Sequence, residues 1–267
     1  MNGNGSAPKP AWLENRSDPR VAADLRVELF GSDFSSRLPA QTRDVSAGGV
    51  CVATPSPFAC QSIRSITLQV PGRPLRLKAS GRWQVTHRAS ATVLTGIAFE
   101  DIGMEMQDVL WDYVVDVSKD IARFIYRRSA LRAIGIEGAM GIAHSSRLRI
   151  MRAGDQIYGE AAATQGANSI FLVQSGSVAL QMRVRGVRNQ AFAVAEAGAL
   201  FGGLSMLTSV QDQEFAFARS DVRLLEVDER AFDHLSRSRP GLAQQISLAV
   251  TSAYSERFRT AMEIRRD

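Results

Sequence analysis

The apolar residues of this chain repeat with a period of two over one long stretch, and this repeat limits its fold more than any other feature. From about residue 20 to residue 103, apolar and polar side chains alternate, as in Leu-Arg-Leu-Lys-Ala at 75–79. Alternation places the apolar side chains on one face of a strand. Turn sequences such as Pro71-Gly72 separate the alternating segments. Several short strands joined by Gly and Pro turns are typical of a small antiparallel barrel.

At Met104 the spacing of apolar residues changes to three or four, which predicts one amphipathic helix of about 28 residues, or roughly 40 Å. The helix either packs on the barrel and leads into a second domain, or uses its near-heptad stripe to pair with a copy of itself. The sequence leaves both interpretations open. The glycine-rich segment 135–141 is expected to end the helix at a domain boundary. The apolar stripe consists of Leu110, Val114, Val117, Ile121 and Phe124.

Strand-like alternation returns at about residue 147 and continues to about residue 228 around further glycine turns. Helices are expected to close the chain, with Asp228 or Asp233 as the N-cap of the first and residues 241–262 forming the second. The prediction is therefore a mainly β protein with a long connecting helix and C-terminal helices.

Two short polar motifs flank the first predicted strand, Arg-Ser-Asp-Pro-Arg at 16–20 and Asp-Val-Ser-Ala-Gly-Gly at 44–49. Paired arginines supply forked, permanently charged donors that match phosphate and can stack on a purine. The Asp and the Ser project to the same side of an extended chain, and the glycines allow a ligand to approach the backbone closely. The candidate anion-binding residues are Arg16, Arg20, Asp44, Ser46, Gly48 and Gly49.

Together these motifs resemble the PilZ family of bacterial receptor domains for cyclic di-GMP, whose pattern is RxxxR followed by (D/N)xSxxG. The resemblance implies a six-stranded barrel and a site for a dianion with two guanines. Arg16 and Arg20 would bond the phosphates and stack on guanine or fork to its Hoogsteen edge. Asp44 would accept the guanine N1–H and N2–H bonds, and Ser46 and the glycine backbone would complete the site.

Two neighbouring residues leave details of this site open. Arg43 could add positive field next to the motif or could face solvent. Asn15 stands where many relatives have another arginine, so one ligand or a stacked pair could be held. Ligand binding is expected to order the N-terminal arm against the barrel, and the second domain is a further surface that the arm could reach.

Glycine and aspartate landmarks recur through the second half, at Gly154-Asp155, Gly176, Gly198 to Gly202 and Asp221. With them, residues 147–250 resemble a cyclic-nucleotide-binding domain, a β jelly roll followed by helices. The phosphate cassette of that family reads Phe-Gly-Glu and later has an arginine, which hold the ribose and the cyclic phosphate. Here Phe201-Gly202 is followed by Gly203, and Asp212 occupies the position of the arginine. A carboxylate repels the phosphate, so we expect no ordinary cAMP or cGMP binding. An inward-facing Arg219 is the alternative; otherwise the pocket would serve packing, dimerisation or partner docking.

These predictions divide the chain into four parts. They are a flexible arm at 1–15, a PilZ domain at 16–103, a connecting helix at 104–134, and a cyclic-nucleotide-binding-like domain with C-terminal helices at 135–267.

The composition fits a globular protein and excludes some classes of function. Hydrophobic residues make up 45% and the net charge is only +5, which suits an anionic ligand without requiring nucleic acid. Cys51 and Cys60 are expected to be buried free thiols, and the three histidines join no metal-ligand cluster. A signal peptide and a membrane helix are not predicted, so a cytoplasmic protein is expected.

The leading hypothesis is a cytoplasmic signalling receptor that is not an enzyme, with cyclic di-GMP as its ligand, no other cofactor, and an unidentified protein effector. No catalytic pair or nucleophile with a partner is visible. We expect no membrane or DNA partner, because no helix-turn-helix domain follows the jelly roll. A homodimer through the 104–134 helix or the jelly roll is possible. The alternatives are a dual sensor of cyclic di-GMP and cAMP, and a structural adaptor indifferent to nucleotides.

Overall fold

The computed structural model describes most of both predicted domains. Arg16, Asp212 and the predicted arm at 1–15 lie outside the described residues. The described ranges are 19–33, 37–87, 92–159, 168–182, 190–208 and 214–264.

The first domain is a closed antiparallel barrel of six strands, as predicted. The strand order is β1-β3-β2-β5-β6-β7-β4, and β4 pairs back onto β3 to close the barrel. The two-residue β1 pairs with the C-terminal end of β3 and is not one of the six strands that close the ring. The strands are β1 (Val21–Ala22), β2 (Arg26–Gly31), β3 (Leu38–Ser46), β4 (Gly49–Thr54), β5 (Ile63–Val70), β6 (Arg73–His87) and β7 (Thr92–Glu100).

The apolar residues of the alternating segments form the barrel core. Alternate residues of β2 and β5, such as Val27, Leu29, Ile66 and Leu68, are at most 1% exposed, whereas Glu28 between them is half-buried. A barrel has one filled interior, so strands with this period have a single stable register.

Helix α1 (Met104–Arg128) follows the barrel and packs against both domains. Leu110 and Val114 belong to the barrel core, while Ile121 and Ile125 belong to a second core formed with the following domain. Leu110, Val114 and Ile121 of the predicted apolar stripe are therefore buried within the chain, and Val117 and Phe124 are half-buried. The packing interpretation is confirmed, and pairing of the helix with a copy of itself stays a prediction. The helix is also shorter than predicted and gives way to a 3-10 turn at Arg132–Ile134.

The glycine-rich segment does not form the predicted break. Residues Gly135–Ser145 form a second helix, α2. A Cβ added at Gly138 would come within 3.1 Å of Leu242 Cδ1, and one added at Gly141 would come within 2.8 Å of Leu242 Cδ2. Gly138 and Gly141 are therefore residues of close helix packing, and not linker residues.

The second domain is a jelly roll of two four-stranded sheets, ordered β13-β10-β15-β8 and β12-β11-β14-β9. As predicted, Asp228 caps the first closing helix, because its Oδ1 accepts a 2.8 Å hydrogen bond from the Ala231 amide. The strands are β8 (Arg147–Met151), β9 (Gln156–Tyr158), β10 (Ser169–Ser175), β11 (Ser177–Met182), β12 (Gln190–Glu196), β13 (Leu200–Gly202), β14 (Glu214–Ala218) and β15 (Val222–Asp228). The remaining helices are α3 (Leu204–Thr208), α4 (Glu229–Ser238) and α5 (Pro240–Ile264).

The two domains share part of a hydrophobic core. Ala22 of β1 is 5% exposed and belongs to the same buried cluster as Leu148 of β8 and Leu225 of β15. Strand β8 also lies beside β3 of the barrel. The segment that follows Arg20 is thus enclosed between the domains. Among the helices of the described chain, none has both the length and the apolar character to cross a membrane.

Candidate functional site

The structure brings Arg20 and Asp44 into direct contact. Arg20 comes just before β1, and β1 pairs with β3 so that Ala22 lies opposite Asp44. The Arg20 guanidinium Nη1 donates to Asp44 Oδ1 at 2.6 Å. The side chain of Asp44 is only 2% exposed, whereas that of Arg20 is 26% exposed. Strand register therefore joins the two predicted motifs at one point, with the carboxylate inside and the guanidinium at the rim.

Ser46 and the two glycines form the turn between β3 and β4. The buried Ser46 hydroxyl donates to the Gly49 carbonyl at 3.1 Å, so its oxygen retains the capacity to accept a bond. Gly48 is exposed, and its carbonyl accepts from the Phe99 amide at 3.0 Å. A Cβ at Gly49 would come within 2.5 Å of the Ile97 carbonyl oxygen. Ser46 and Gly49 thus join β3 to β4 beside Asp44, where these two strands close the barrel. They have this structural role independently of any ligand.

A residue of the second domain completes the surroundings of Asp44. Arg147, the first residue of β8, approaches Asp44 Oδ2 with its Nε at 3.4 Å and Asp228 Oδ2 with its Nη1 at 3.0 Å. Burial lowers the pKa of Arg147, but Asp228 and then Asp44 raise it, and the net shift is upward. Each oxygen of Asp44 therefore faces a guanidinium. Nothing in the local sequence identifies Arg147, because it lies about 100 residues from Asp44 and has no motif of its own.

A second ion pair crosses between the domains nearby. Arg223 of β15 donates from Nη1 to Asp24 Oδ2 at 2.7 Å. Arg43 is half-buried rather than solvent-facing, and its pKa is lowered chiefly by burial and raised in part by Asp24. The predicted ligand site and the domain interface consequently share one polar region.

The jelly-roll residues of the predicted cassette lie in a tightly filled interior. The ring of Phe201 stacks on Phe171 with centroids 5.2 Å apart, and Tyr158 stacks on Phe171 at 5.9 Å. Gly202 and Gly203 have φ angles of +72° and +78°. A Cβ at Gly203 would come 2.4 Å from Ile170 Cγ1. The backbone and the packing at Gly203 therefore both disfavour the glutamate that the family has there.

A buried carboxylate that the sequence analysis missed lies at the start of β14. Glu214 is 3% exposed, and the Tyr158 hydroxyl donates to it. Arg257 of α5 brings its Nη2 within 3.9 Å of Glu214 Oε2 and donates from Nη1 to the Leu200 carbonyl at 2.6 Å. Arg219 is exposed, so it does not take the inward position considered from the sequence. The signal available in the sequence was the lone charge beginning the apolar run at 214–218.

The described residues contain no group of three or more His, Cys, Asp or Glu side chains that could hold a metal ion. Cys51 and Cys60 are buried free thiols, as predicted.

Comparison with known proteins identifies both halves of the chain. Residues 14–116 match the family model of the PilZ domain, and residues 148–239 match that of the cyclic nucleotide-binding domain. Both are regulatory binding domains, which supports a nucleotide-binding, signalling role. A search of curated protein sequences found no match.

Similar solved structures include three bacterial proteins. A cyclic nucleotide-binding domain from Methylobacillus flagellatus is 16% identical, with a TM-score of 0.45, covering 57% of this chain and 82% of that one. The Thermus thermophilus catabolite activator protein is 23% identical, with a TM-score of 0.41 and coverages of 51% and 61%. The Xanthomonas campestris regulator CLP, described as c-di-GMP responsive, is 15% identical, with a TM-score of 0.42 and coverages of 48% and 62%.

The chain spans less than two thirds of the last two structures. The assignment rests on the two family matches together with the closed barrel and the two-sheet jelly roll. The chain is a PilZ domain fused to a cyclic nucleotide-binding domain.

Proposed function

We propose that this chain is a receptor for cyclic di-GMP that binds the dinucleotide at the PilZ motifs and passes the signal to the second domain. The observation that supports it best is the 2.6 Å contact between Arg20 and Asp44, which unites the two motifs at the seam with the second domain. The proposed ligand residues are Arg16, Arg20, Asp44, Ser46, Gly48 and Gly49.

The chemistry of these groups suits a guanine-bearing dianion. A guanidinium has five N–H donors, and the bond from Arg20 to Asp44 uses one of them, so Arg20 can also bond a phosphate. A carboxylate can accept two N–H bonds from the edge of a guanine, which is the proposed role of Asp44. Arg16, which lies outside the described residues, would supply the second guanidinium.

Coupling between the domains is proposed because the site and the interface share residues. Ala22 follows Arg20 by two positions and is buried with residues of the second domain. Asp44 itself contacts Arg147 across the interface. A ligand that takes over an oxygen of Asp44 would therefore change a contact that also holds the second domain, and this differential contact is what an allosteric ligand needs.

The second domain is proposed to act as an interaction platform that binds no cyclic nucleotide. Gly203 cannot be replaced by the family's glutamate without moving Ile170, and Glu214 adds a buried carboxylate close to the cassette. Both features disfavour a cyclic phosphate. A thermal-shift series with cAMP and cGMP tests this point, and a dose-dependent stabilisation by either nucleotide would refute it.

Isothermal titration of the full chain with cyclic di-GMP tests the main proposal. Arg20→Ala is expected to weaken binding by about tenfold to a hundredfold, since a charge-assisted bond contributes about 1.5–3 kcal/mol. Arg26→Ala is the matched control, because Arg26 is an exposed arginine on β2 of the same barrel. A folded wild-type protein that gives no heat would defeat the proposal and leave the adaptor hypothesis. Equal affinities for wild type and Arg20→Ala would defeat the assigned site.

A further inference from the structure

We propose that Arg147 competes with the ligand for Asp44. In the ligand-free protein its contact with Asp44 acts as a latch that holds the two domains together, and cyclic di-GMP must displace Arg147 from Asp44. This inference rests on the proposed function, since it concerns regulation of the same site. It assigns a regulatory role to a residue of the second domain that belongs to neither PilZ motif.

The first argument is the position of Arg147 on Asp44. Its Nε lies 3.4 Å from Asp44 Oδ2, while Arg20 occupies Oδ1. A guanine edge held by two N–H bonds needs both carboxylate oxygens. Asp44 is 2% exposed, so a guanine edge can reach its oxygens only if one of the two guanidinium groups moves; Arg20 bonds Oδ1 at 2.6 Å, whereas Arg147 approaches Oδ2 only to 3.4 Å and makes the weaker contact. A ligand that reaches Asp44 is therefore expected to take the place of Arg147 at Oδ2.

The second argument is that Arg147 has another partner in its own domain. Its Nη1 lies 3.0 Å from Asp228 Oδ2, and Glu226 lies opposite Arg147 in the register of β8 with β15. Removing one partner from a buried ion pair usually strands a charge at a large cost. Here the Arg147 guanidinium would keep Asp228 as its ion-pair partner after the ligand has taken its place at Asp44. The contact between the domains can thus open without leaving an unpaired arginine.

The third argument concerns what the release of Arg147 would change. Asp228 Oδ2 forms the ion pair with Arg147, and Asp228 Oδ1 accepts the hydrogen bond from the Ala231 amide in the first turn of α4. Asp44, Arg147 and Asp228 consequently form one continuous polar chain from the ligand site to the N-terminus of α4. Displacing Arg147 from Asp44 would therefore change the surroundings of the residue that caps α4.

The interface supplies a matched control in Arg223. Arg223 also pairs with a barrel carboxylate, Asp24, at 2.7 Å, but it does not contact Asp44 in the structure. Removing either arginine loosens the interface, whereas removal of Arg147 alone frees the ligand-binding carboxylate. Direct competition therefore predicts different effects on affinity for Arg147→Met and Arg223→Met.

The test is titration of cyclic di-GMP into the full chain, with hydrogen exchange of the ligand-free proteins as a second readout. Arg147→Met is expected to raise affinity at least about fivefold, the lower range of allosteric coupling, and Arg223→Met less than about twofold. Arg147→Gln, which removes the charge but keeps a polar side chain, is expected to raise affinity in the same direction and serves if the methionine variant does not fold; Arg147→Lys, which keeps the charge, is expected to remain near wild type. In the ligand-free state, Arg147→Met is expected to speed exchange in β1 and β8.

Each other outcome has a distinct meaning. A loss of affinity in Arg147→Met would mean that Arg147 binds the ligand directly, and equal gains in both variants would mean general loosening; either result overturns the latch. If wild type and all variants give no heat, the proposed function fails. In that case hydrogen exchange of the ligand-free proteins remains as the test of the latch, and unchanged exchange in Arg147→Met would overturn it as well.

Discussion

Gly203 packs directly against Ile170, leaving no room for a side chain at the position where the family has glutamate. A Cβ there would come 2.4 Å from Ile170 Cγ1, and Ile170 is itself 2% exposed. The φ angle of +78° adds a second obstacle, because a residue with a Cβ is strained in this region. The packing of the jelly roll is therefore adapted to glycine at position 203.

This arrangement predicts that Gly203→Ala destabilises the second domain by about 2–5 kcal/mol, the sum of backbone strain and overpacking. Gly154→Ala is the control, because Gly154 has a similar φ of +88° but nothing within 4 Å of its added Cβ. The control should lose only about 1–2 kcal/mol of backbone strain. Urea unfolding followed by circular dichroism measures both, and equal losses would contradict the steric part of the argument.

The buried Cys51 thiol is predicted to be unreactive in the folded protein. Burial raises its pKa to about 12, with a further contribution from neighbouring Asp44, so the thiolate is scarce near neutral pH. In a Cys60→Ser variant, Ellman's reagent at pH 8 should label Cys51 only after denaturation. Rapid labelling of the native variant would show that the β3–β4 seam opens readily.

The contact between Arg20 and Asp44 illustrates what the sequence could predict. The PilZ pattern named both residues, and the alternation in 20–103 predicted the barrel whose register brings them together. Both inferences use short-range patterns that follow from strand geometry. Arg147 could not be found in this way, because its role depends on how two domains dock, and docking leaves no periodic signal in one sequence.

The segment Gly135–Ser145 illustrates the opposite error. Glycine lowers helix propensity by about 1 kcal/mol, so the sequence alone predicts a break in this segment. In the structure the small size of Gly141 matters more, since it allows Leu242 of α5 to approach the backbone of α2. Tertiary packing outweighs local propensity here, and only the position of α5 reveals it.

His144 is predicted to make the protein less stable in mild acid. Burial, followed by the charge of Arg239, lowers the pKa of His144 in the folded state. Below about pH 6.5 the unfolded chain therefore binds more protons at this site, and stability falls as pH falls. The ring Nε2 lies 3.0 Å from the Ser118 hydroxyl, which itself donates to the Val114 carbonyl, so Nε2 is the donor.

His144→Gln retains a donor and cannot be protonated, so it should lose less stability than wild type between pH 7.5 and pH 5.5. The exposed His234 provides the control variant His234→Gln, which should follow wild type. Urea midpoints at the two pH values give the comparison. A wild-type slope unchanged by His144→Gln would exclude this histidine as a source of acid sensitivity.

Arg257 is predicted to hold α5 on the jelly roll through the buried carboxylate of Glu214. The Arg257 side chain is 15% exposed, donates to the Leu200 carbonyl at 2.6 Å and lies 3.9 Å from Glu214 Oε2. Arg257→Met should cost about 3 kcal/mol, because it removes a cation from beside a buried carboxylate. Glu214→Gln in the same chain should recover part of this loss, since an amide needs no counter-charge while it can still bond Tyr158. The double-mutant cycle by urea unfolding measures the coupling, and additive losses would mean that Arg257 acts through Leu200 alone.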